Sequence, residues 1–440
     1  MPNITKAVIL AGGKGTRLAP ALGEKTPKAL AEVGGIPLLE HQLKFLQRNG
    51  VKEVWLLLGH LGDEIQKFLE EKEWGMVLHY IQEEQPQGTG GALRQLENEI
   101  GEDFLVLSGD VMLEMHLQRF IDWHFRKAAT ATLVAHPSDH PFDSDLVEAD
   151  KEGRVTALLR RPHEERNWFH NLSIASVYIL SPKIFQYIPK RADLVDFEKD
   201  VLPVLLESGE RVYAYNTPEY IKDMGIPERL EQVCKDYESG KIEKMSLRNE
   251  RRAVFFDRDG VLIEQVDQLS RPEDLKVYDF AVDAVKKINE TDFMAIVVSN
   301  QPMVAKGFMT EGDVDEIHKK LETELGKKGA KVDAIYYCPH HPEKGFEGER
   351  SELKIECECR KPEPGLLLQA RKDFNLNLSK SYMVGDQTAD MVAGERAGCK
   401  TVLLNTGYAG QDGKYEVSPN STASNVLAAI ENIMRTEQTI

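Results

Sequence analysis

The sequence predicts two α/β domains in tandem, each a Rossmann-like three-layer arrangement of helices on both faces of a mostly parallel sheet. Three observations predict it. Short apolar runs alternate with helix-like stretches through the first half of the chain, and after a charged interruption the same alternation restarts. Each half opens on an apolar strand that runs into a polar turn: Ala7–Ala11 into Gly12-Gly13-Lys14-Gly15, and Ala253–Phe256 into Asp257-Arg258-Asp259-Gly260. A chain of 440 residues also holds two to three domains at about 150 residues each.

In the first half, Pro37 heads a run of Leu39, Leu43 and Leu46 with Gly50 behind, the pattern of a helix with proline at its start and glycine at its end. Val54–Leu58, Phe104–Leu107 and Ser173–Leu180 read as further strands. In the second half, Ala295–Val298, Ala334–Tyr337, Tyr382–Val384 and Thr401–Leu404 do the same. From about Cys234 to Arg252 the chain is charged and helix-like, with Ser239-Gly240 inside it, and reads as a tether. The expected domains are therefore 1–236 and 252–440, with a linker at 237–251. The halves share a class of architecture but no repeated motif.

Hydrophobic residues at 41% and charged residues at 29% suit soluble globular domains. The formal charge of -17 argues against a nucleic-acid partner, so any phosphate-binding cations must be local. The run Ala7–Ala11 is too short for a signal peptide, and no stretch approaches the ~20 apolar residues of a membrane span. A cytoplasmic protein with no membrane partner is expected. Oligomeric state, including a homo-oligomer, stays open. Of the five cysteines, Cys338, Cys357 and Cys359 lie close together. In a chain without an export signal such a cluster points to a metal before a disulfide.

Ligands of open α/β sheets bind at the carboxyl ends of strands, where both the first glycine loop and Ser108-Gly109-Asp110 fall. Gly12, Gly13 and Gly15 let backbone N–H groups approach phosphate oxygens, and Arg17 and Lys28 can neutralise a triphosphate. The loop lacks the Gly-Lys-Ser/Thr of a P-loop and the spacing of a dinucleotide fingerprint, and by itself could be an ordinary tight turn. The segment Gly12 to Lys28, which includes Thr16, closely resembles the signature of sugar-phosphate nucleotidyltransferases, which join a sugar 1-phosphate to a nucleoside triphosphate and release pyrophosphate. Gln87-Gly88-Thr89-Gly90-Gly91-Ala92 resembles that family's base-contacting turn, and Leu107-Ser108-Gly109-Asp110 its first metal aspartate. Phe197-Glu198-Lys199-Asp200 resembles its sugar-phosphate element, and Lys222-Asp223-Met224-Gly225 the segment with its second metal aspartate. The resemblance covers roughly residues 1–235. It implies magnesium on Asp110 and Asp223, pyrophosphate stabilised by Arg17 and Lys28, nucleotide contacts from Gly12, Gly13, Gly15, Thr16, Gln87, Gly88 and Thr89, and a sugar-phosphate contact from Lys199. For Asp110 a strand-end cap is the plain alternative. The family usually has Thr where Ile226 stands. His170-Asn171 precedes a strand as a sugar contact does in this family, or caps a loop.

Asp257 and Asp259, two residues apart after a fully apolar strand, can converge on one phosphate: one attacks phosphorus, the other protonates the leaving oxygen. Alone, the pair could be an acidic turn. Val298-Ser299-Asn300, Arg360-Lys361-Pro362 and Val384-Gly385-Asp386, with Asp390 beyond, follow in the order that resembles the haloacid dehalogenase superfamily over about residues 252–408. The resemblance implies Asp257 as nucleophile, Asp259 as general acid/base, Ser299, Asn300, Arg360 and Lys361 at the phosphoryl group or substrate, and magnesium on Asp257, Asp386 and the Asp259 carbonyl. The stretch between Asp259 and Ser299 leaves room for a minimal cap only.

Cys338, His340, Cys357 and Cys359 supply three thiolates and an imidazole, the donor set of a closed structural zinc site, with unligated reduced cysteines as the alternative. His340 is the better ligand than His341. Cys338-Pro339-His340-His341-Pro342 with Cys357-Glu358-Cys359-Arg360-Lys361-Pro362 resembles the D-glycero-D-manno-heptose 1,7-bisphosphate 7-phosphatases. Histidinol phosphatases share this loop. Where that family usually has Asn-Gln-Ser-Gly-Ile-Ala-Arg-Gly, this chain has Asn300-Gln301-Pro302-Met303-Val304-Ala305-Lys306-Gly307, and Lys306 cannot make a bidentate fork.

Together the halves imply a bifunctional enzyme of activated-heptose synthesis. It would remove the 7-phosphate and then transfer a nucleotidyl group, with guanine as first choice of base, to heptose 1-phosphate. Its partners would be sugar phosphates and a nucleoside triphosphate. The rivals are another sugar phosphate with UTP, CTP or ATP, a histidinol-phosphatase-like second half, or one half acting as a noncatalytic module.

Overall fold

The structure, a computed structural model, describes residues 2–23, 25–164, 168–190, 194–266 and 268–438. The chain divides into two compact units. The first comprises Met1–His136, Asp145–Arg160 and Leu172–Ser246, and the second Pro137–Ser144, Arg161–Asn171 and Leu247–Ile440. Two short segments of the first half, 137–144 and 161–171, thus group with the second unit, which linear boundaries did not anticipate. No helix among the described residues is long and apolar enough to cross a membrane.

The strands of the first unit's main sheet are β1 (Lys6–Ala11), β2 (Glu53–Leu58), β3 (Val77–Gln82) and β4 (Phe104–Ser108), followed after the short β5 (Val111–Glu114) by β6 (Ala131–His136), β7 (Leu146–Ala149), β8 (Val155–Leu159), β9 (Ser173–Leu180) and β10 (Val212–Asn216). The central order is β8-β7-β9-β4-β1-β2-β3, with β6 joining β9 to β10. Helix α1 (Leu38–Arg48) follows Pro37 as the spacing predicts. Ala7, Val8 and Ile9 are all fully buried, which is why β1 reads as a continuous apolar run rather than an alternating one. The expectation of a mostly parallel sheet needs correction. Only the β4-β1-β2-β3 block and the β10/β6 pair are parallel, whereas β9 runs antiparallel to β4, β6 and β7. Among the described residues no α-helix lies between β6 and β9, which the chain joins through β7 and β8, so β9 enters antiparallel to β6. A separate ribbon pairs β5 with β11 (Tyr220–Asp223).

The stretch around the expected linker is helical and packed. Residues Pro227–Glu238 and Lys241–Lys244 are helical, and Val233 and Ile242 bury themselves with Leu18, Val33, Leu38, Met112 and Met224 in a small satellite core. Ser246, Leu247 and Arg251 are buried as well. Charge on the outer face of these helices masked their apolar stripe in the sequence.

The second unit holds a parallel sheet of β12 (Arg252–Phe256), β13 (Phe293–Asn300), β14 (Ala334–Cys338), β15 (Tyr382–Gly385), β16 (Lys400–Leu404) and β17 (Ser421–Ala423), in the order β14-β13-β12-β15-β16-β17. β12 lies at the centre, and its neighbours lead away on opposite sides. That arrangement opens a crevice at its carboxyl end, where Asp257 follows. The 17-residue helix α2 (Glu311–Lys327) starts at a capping box: Thr310 accepts from Asp313 N, and the Asp313 side chain accepts from Thr310 N.

Candidate active sites

In the first unit the glycine loop leaves β1 between the ends of β2 and β4. Gly15 takes a left-handed backbone (φ +60), and the Lys28 stem packs 3.3 Å from where its Cβ would stand. A Cβ on Gly13 would meet nothing within 4 Å, so no packing demand explains that glycine and the space is open to a ligand. Asp110, at the end of β4, accepts from Ser108 Oγ at 2.5 Å, and its other oxygen pairs with Lys28 Nζ. Met224 N donates to the Asp110 carbonyl at 2.8 Å, and Asp223 faces Val111 across the β5/β11 ribbon. Both aspartates thus meet at one ribbon end. A Cβ on Gly225 would stand 2.9 Å from Asp223 Oδ1, 3.5 Å from Arg17 Nη2 and 3.6 Å from Lys28 Nζ. Arg17, Lys28, Asp110 and Asp223, far apart in sequence, therefore converge. Arg229, which the sequence did not single out, binds both oxygens of Asp223 at 2.8 and 2.5 Å.

The turn at Gln87-Gly88-Thr89 is docked on the segment before Lys199. Gly88 has φ +78, and a Cβ there would lie 2.4 Å from the Val195 carbonyl. Gly90 N donates to that carbonyl at 2.8 Å, and Phe197 N donates to Thr89 Oγ1 at 2.8 Å. The Thr89 hydroxyl is thereby engaged in fastening two motifs to each other. Lys199 and Thr16 are exposed. Of two further carboxylates here, the sequence did not single out Glu83 and marked Glu198 only as part of the Phe197-Glu198-Lys199-Asp200 element. Glu83 Oε2 lies 2.8 Å from a Cβ built on Gly12, Glu83 Oε1 accepts from Gln87 N at 3.3 Å, and burial raises its pKa. Glu198 is held by Tyr178 OH and by Ser176 Oγ at 3.0 Å, and burial raises it too. Only its nearness to the Gln87 motif could have marked Glu83.

In the second unit, Asp257, Asp386 and Asp390 are buried, with carboxylate oxygens all within 4.8 Å of one another. Lys361 reaches into them: its Nζ lies 3.0 Å from Asp257 Oδ1 and 2.6 Å from Asp390 Oδ1, and donates to the Val298 carbonyl at 2.8 Å. Asn300 braces the Lys361 backbone from both sides, donating to its carbonyl and accepting from its N–H, each at 3.0 Å. Arg360 Nη1 donates to the His340 carbonyl at 3.2 Å. Ser299, fully buried, accepts from Gln301 Nε2 at 2.7 Å. Asp386 Oδ2 accepts from Tyr408 N at 2.7 Å, whereas its buried Oδ1 has no hydrogen-bond partner. Asp390 stands beside the expected Asp257 and Asp386 as the third carboxylate of the trio. The Asp259 side chain points to Arg258 and Gln301 instead, because the buried guanidinium claims both its oxygens.

One cation against three buried carboxylates leaves excess negative charge. Burial first, then the neighbouring carboxylates, push Asp257 up to about 7, while Lys361 opposes the rise. Burial and Asp257 push Asp386 up to about 8. Burial works against the Lys361 charge, but Asp257 and Asp390 outweigh it and hold the ammonium protonated. An orphaned carboxylate oxygen and an all-oxygen donor set fit a hard divalent cation.

Cys338, His340, Cys357 and Cys359 cluster as expected, with ligand atoms within 4.8 Å of one another. Sγ separations of 3.2–3.6 Å are far beyond a disulfide bond. Hydrogen bonding from Cys338 leads the effects that pull Cys359 down to about 5. His341 stands outside the cluster. The sugar-contact reading of His170-Asn171 is not supported. His170 binds Glu322 at 2.6 Å and Asp315 at 3.0 Å on α2, and Asn171 bridges Ser138 N and O. Burial disfavours the His170 charge, but Glu322 and Asp315 outweigh it and raise its pKa to about 10.

The fold and the two charge clusters define an enzyme with two phosphate-handling centres, one for nucleotidyl transfer and one for phosphomonoester hydrolysis. By family, the chain belongs to the nucleotidyl transferases over residues 6–240 and, in its other half, to the heptose-1,7-bisphosphate 7-phosphatases. A HAD-hydrolase-like family also matches residues 358–429. The D-glycero-beta-D-manno-heptose-1,7-bisphosphate 7-phosphatase of Pasteurella multocida is 35% identical over 170 residues, 38% of this chain and 90% of that one. The D-glycero-alpha-D-manno counterpart of Photorhabdus laumondii is 33% identical over 187 residues, 42% of this chain and 98% of that one. Among solved structures, HddC from Yersinia pseudotuberculosis is similar at 28% identity, covering 53% of this chain and 100% of that chain with a TM-score of 0.46.

The raised carboxyls make the stability of the second unit pH-dependent. Their folded-state pKa values exceed the unfolded value of about 4, so the contribution is fully present below about pH 4 and is lost as pH rises through 7 and 8. Chelator-treated protein is expected to melt at a lower temperature at about pH 8.5 than at about pH 6, with added magnesium raising the midpoint most at the higher pH. A chelated midpoint that climbs from pH 6 to 8.5 contradicts this.

Proposed function

We propose that the second unit removes the 7-phosphate of D-glycero-D-manno-heptose 1,7-bisphosphate and that the first unit joins the resulting heptose 1-phosphate to a nucleotide, GTP being the donor. The observation that carries the reading is the pairing, in one chain, of a nucleotidyl transferase half with relatives that are 7-phosphatases along nearly their whole length. Removal of the 7-phosphate leaves the 1-phosphate that a nucleotidyltransferase requires.

In the phosphatase, the Asp257 carboxylate attacks phosphorus, the bond from phosphorus to the sugar oxygen breaks, and Asp259 gives its proton to that oxygen. Water then attacks the aspartyl-phosphate, phosphate leaves, and Asp259 takes the proton back. Lys361 and Ser299 bind the phosphoryl oxygens, and Arg360 faces the substrate. Asp257, Asp386 and the Asp259 carbonyl would hold magnesium, which would supply charge neutralisation at the phosphoryl group. In the transferase, a sugar-phosphate oxygen attacks the α-phosphorus and pyrophosphate departs. Arg17 and Lys28 offset the charge on the leaving group, Lys199 contacts the sugar phosphate, and Asp110 and Asp223 would hold magnesium.

Glu83 supports guanine. The guanine edge presents two adjacent donors, N1–H and the N2 amine, which a carboxylate accepts together; uracil, cytosine and adenine do not offer that pair. Glu83→Gln is expected to lower kcat/KM for GTP by roughly 10- to 100-fold and to leave other nucleotides nearly unaffected. Equal losses on all four nucleotides in a steady-state panel would remove Glu83 from base selection.

Zinc on Cys338, His340, Cys357 and Cys359 would tie down the loop that carries Arg360 and Lys361. Elemental analysis of purified protein should find one zinc per chain, lost in Cys359→Ser; zinc-free active protein would refute the assignment.

The activities should separate by mutation. Asp257→Asn is expected to cut phosphate release by about 10³-fold or more and spare pyrophosphate release, and Arg17→Ala to do the reverse. Phosphorus NMR with heptose 1,7-bisphosphate, magnesium and each nucleoside triphosphate reads both steps at once. Phosphate loss without nucleotide transfer would move the search to another sugar for the first unit, and no reaction would reject heptose.

A further inference from the structure

Arg258, between the two aspartates of the phosphatase turn, is fully buried and among the largest side chains so enclosed. Its guanidinium donates to Asp259 Oδ2 from Nε at 3.2 Å and from Nη2 at 3.0 Å, and to Asp259 Oδ1 from Nη2 at 3.1 Å. Nη2 also donates to Gln301 Oε1 at 3.0 Å, and Nη1 to His318 Nε2 at 3.3 Å. Among the described residues, Asp259 is its one carboxylate partner.

The parts behind the guanidinium are themselves oriented. Gln301 can turn only one way, since Oε1 accepts from Arg258 while Nε2 donates to Ser299 Oγ at 2.7 Å and to Asp259 Oδ2 at 3.2 Å. His318 is buried on α2 with its ring edge-on to Tyr337, centroids 5.5 Å apart, and burial and then the Arg258 charge hold it neutral, able to accept. Asp259 Oδ2 therefore accepts three hydrogen bonds and Oδ1 one, while the side chain keeps 19% of its exposure.

We propose that Arg258 is a positioning residue for the phosphatase reaction: by saturating Oδ2 it makes Oδ1 the oxygen of Asp259 that carries the proton and delivers it to the departing sugar oxygen. The inference rests on the reading of Asp259 as general acid. As the Asp257-to-phosphorus bond forms and the bond from phosphorus to the sugar oxygen breaks, the proton leaves Oδ1 for the sugar oxygen. On hydrolysis a water proton returns to Oδ1. A lysine could keep the charge but not the fork.

The test uses the full chain with magnesium and follows single-turnover release of the leaving group. The substrates are heptose 1,7-bisphosphate and p-nitrophenyl phosphate, whose phenolate departs without a proton. Arg258→Met and Arg258→Lys are expected to slow the sugar substrate by about 10²-fold with KM little changed, and p-nitrophenyl phosphate less than about threefold. Arg258→Met in the Asp259→Asn background should cost nothing further. Equal losses on both substrates, or additive losses in the double variant, overturn the inference. If Arg258→Met does not fold by its melting curve, Arg258→Lys gives the same substrate ratio. Should Asp259→Asn itself leave the sugar substrate unaffected, the general-acid reading fails, a result distinct from failure of Arg258.

Discussion

The phosphatase centre depends on one buried cation. Lys361 is 4% exposed and touches Asp257, Asp390 and a strand-end carbonyl at once, so three elements that are distant in sequence meet at its ammonium. An ion pair this deep repays its desolvation only if nearly every lone pair and proton around it finds a partner. Here the partners come from strand ends. β12 delivers Asp257, β13 the Val298 carbonyl and Asn300, and β15 leads to Asp386 and Asp390. Parallel strands with a central first strand are what place these ends side by side, so the topology and the charge network constrain each other.

The first unit meets the same demand with less burial. Its cations, Arg17 and Lys28, lie on a loop and a short helical turn, and only the contact at Gly225 and the pairing of Lys28 with Asp110 bring them to the aspartates. The scaffold is backbone rather than charge. Val195 O takes the N–H groups of Gly90 and Gly91, and Thr89 fastens Phe197, so the turn beside the nucleotide loop and the segment carrying Lys199 form one piece. Gly88 is required there because any Cβ would strike the Val195 carbonyl.

Much of this was legible in the sequence, for physical reasons that differ by element. Strands buried on both faces, such as Ala253–Phe256, leave uninterrupted apolar runs, and the residues that follow them inherit a defined place at the sheet edge. The cluster of Cys338, Cys357 and Cys359 stands out because cysteine is rare in this chain. What stayed hidden depends on packing between distant segments. The antiparallel entry of β9 is a matter of direction, which periodicity does not encode. The helix-like stretch from about Cys234 looked like a tether because its charges outnumber apolar residues such as Ile242, which is buried. His170 looked like a ligand contact because nothing local reveals Glu322 and Asp315 on a helix some 150 positions away. Arg258 and Gln301 were visible as letters within motifs, but their role emerges only from the geometry around Asp259.

The charge balance differs between the two centres. A protein of net charge -17 that binds polyanions gains nothing from its overall field, so each site must create its own positive potential. In the second unit one ammonium faces three carboxylates before any phosphate arrives; in the first, Asp110 and Asp223 are already neutralised by Lys28 and Arg229. Adding a phosphate dianion to the former would leave the charge uncompensated unless a divalent cation came with it. The orphaned Asp386 oxygen is where that deficit is most exposed, which ties the same buried acids to substrate binding, to metal binding and to the pH response of the fold.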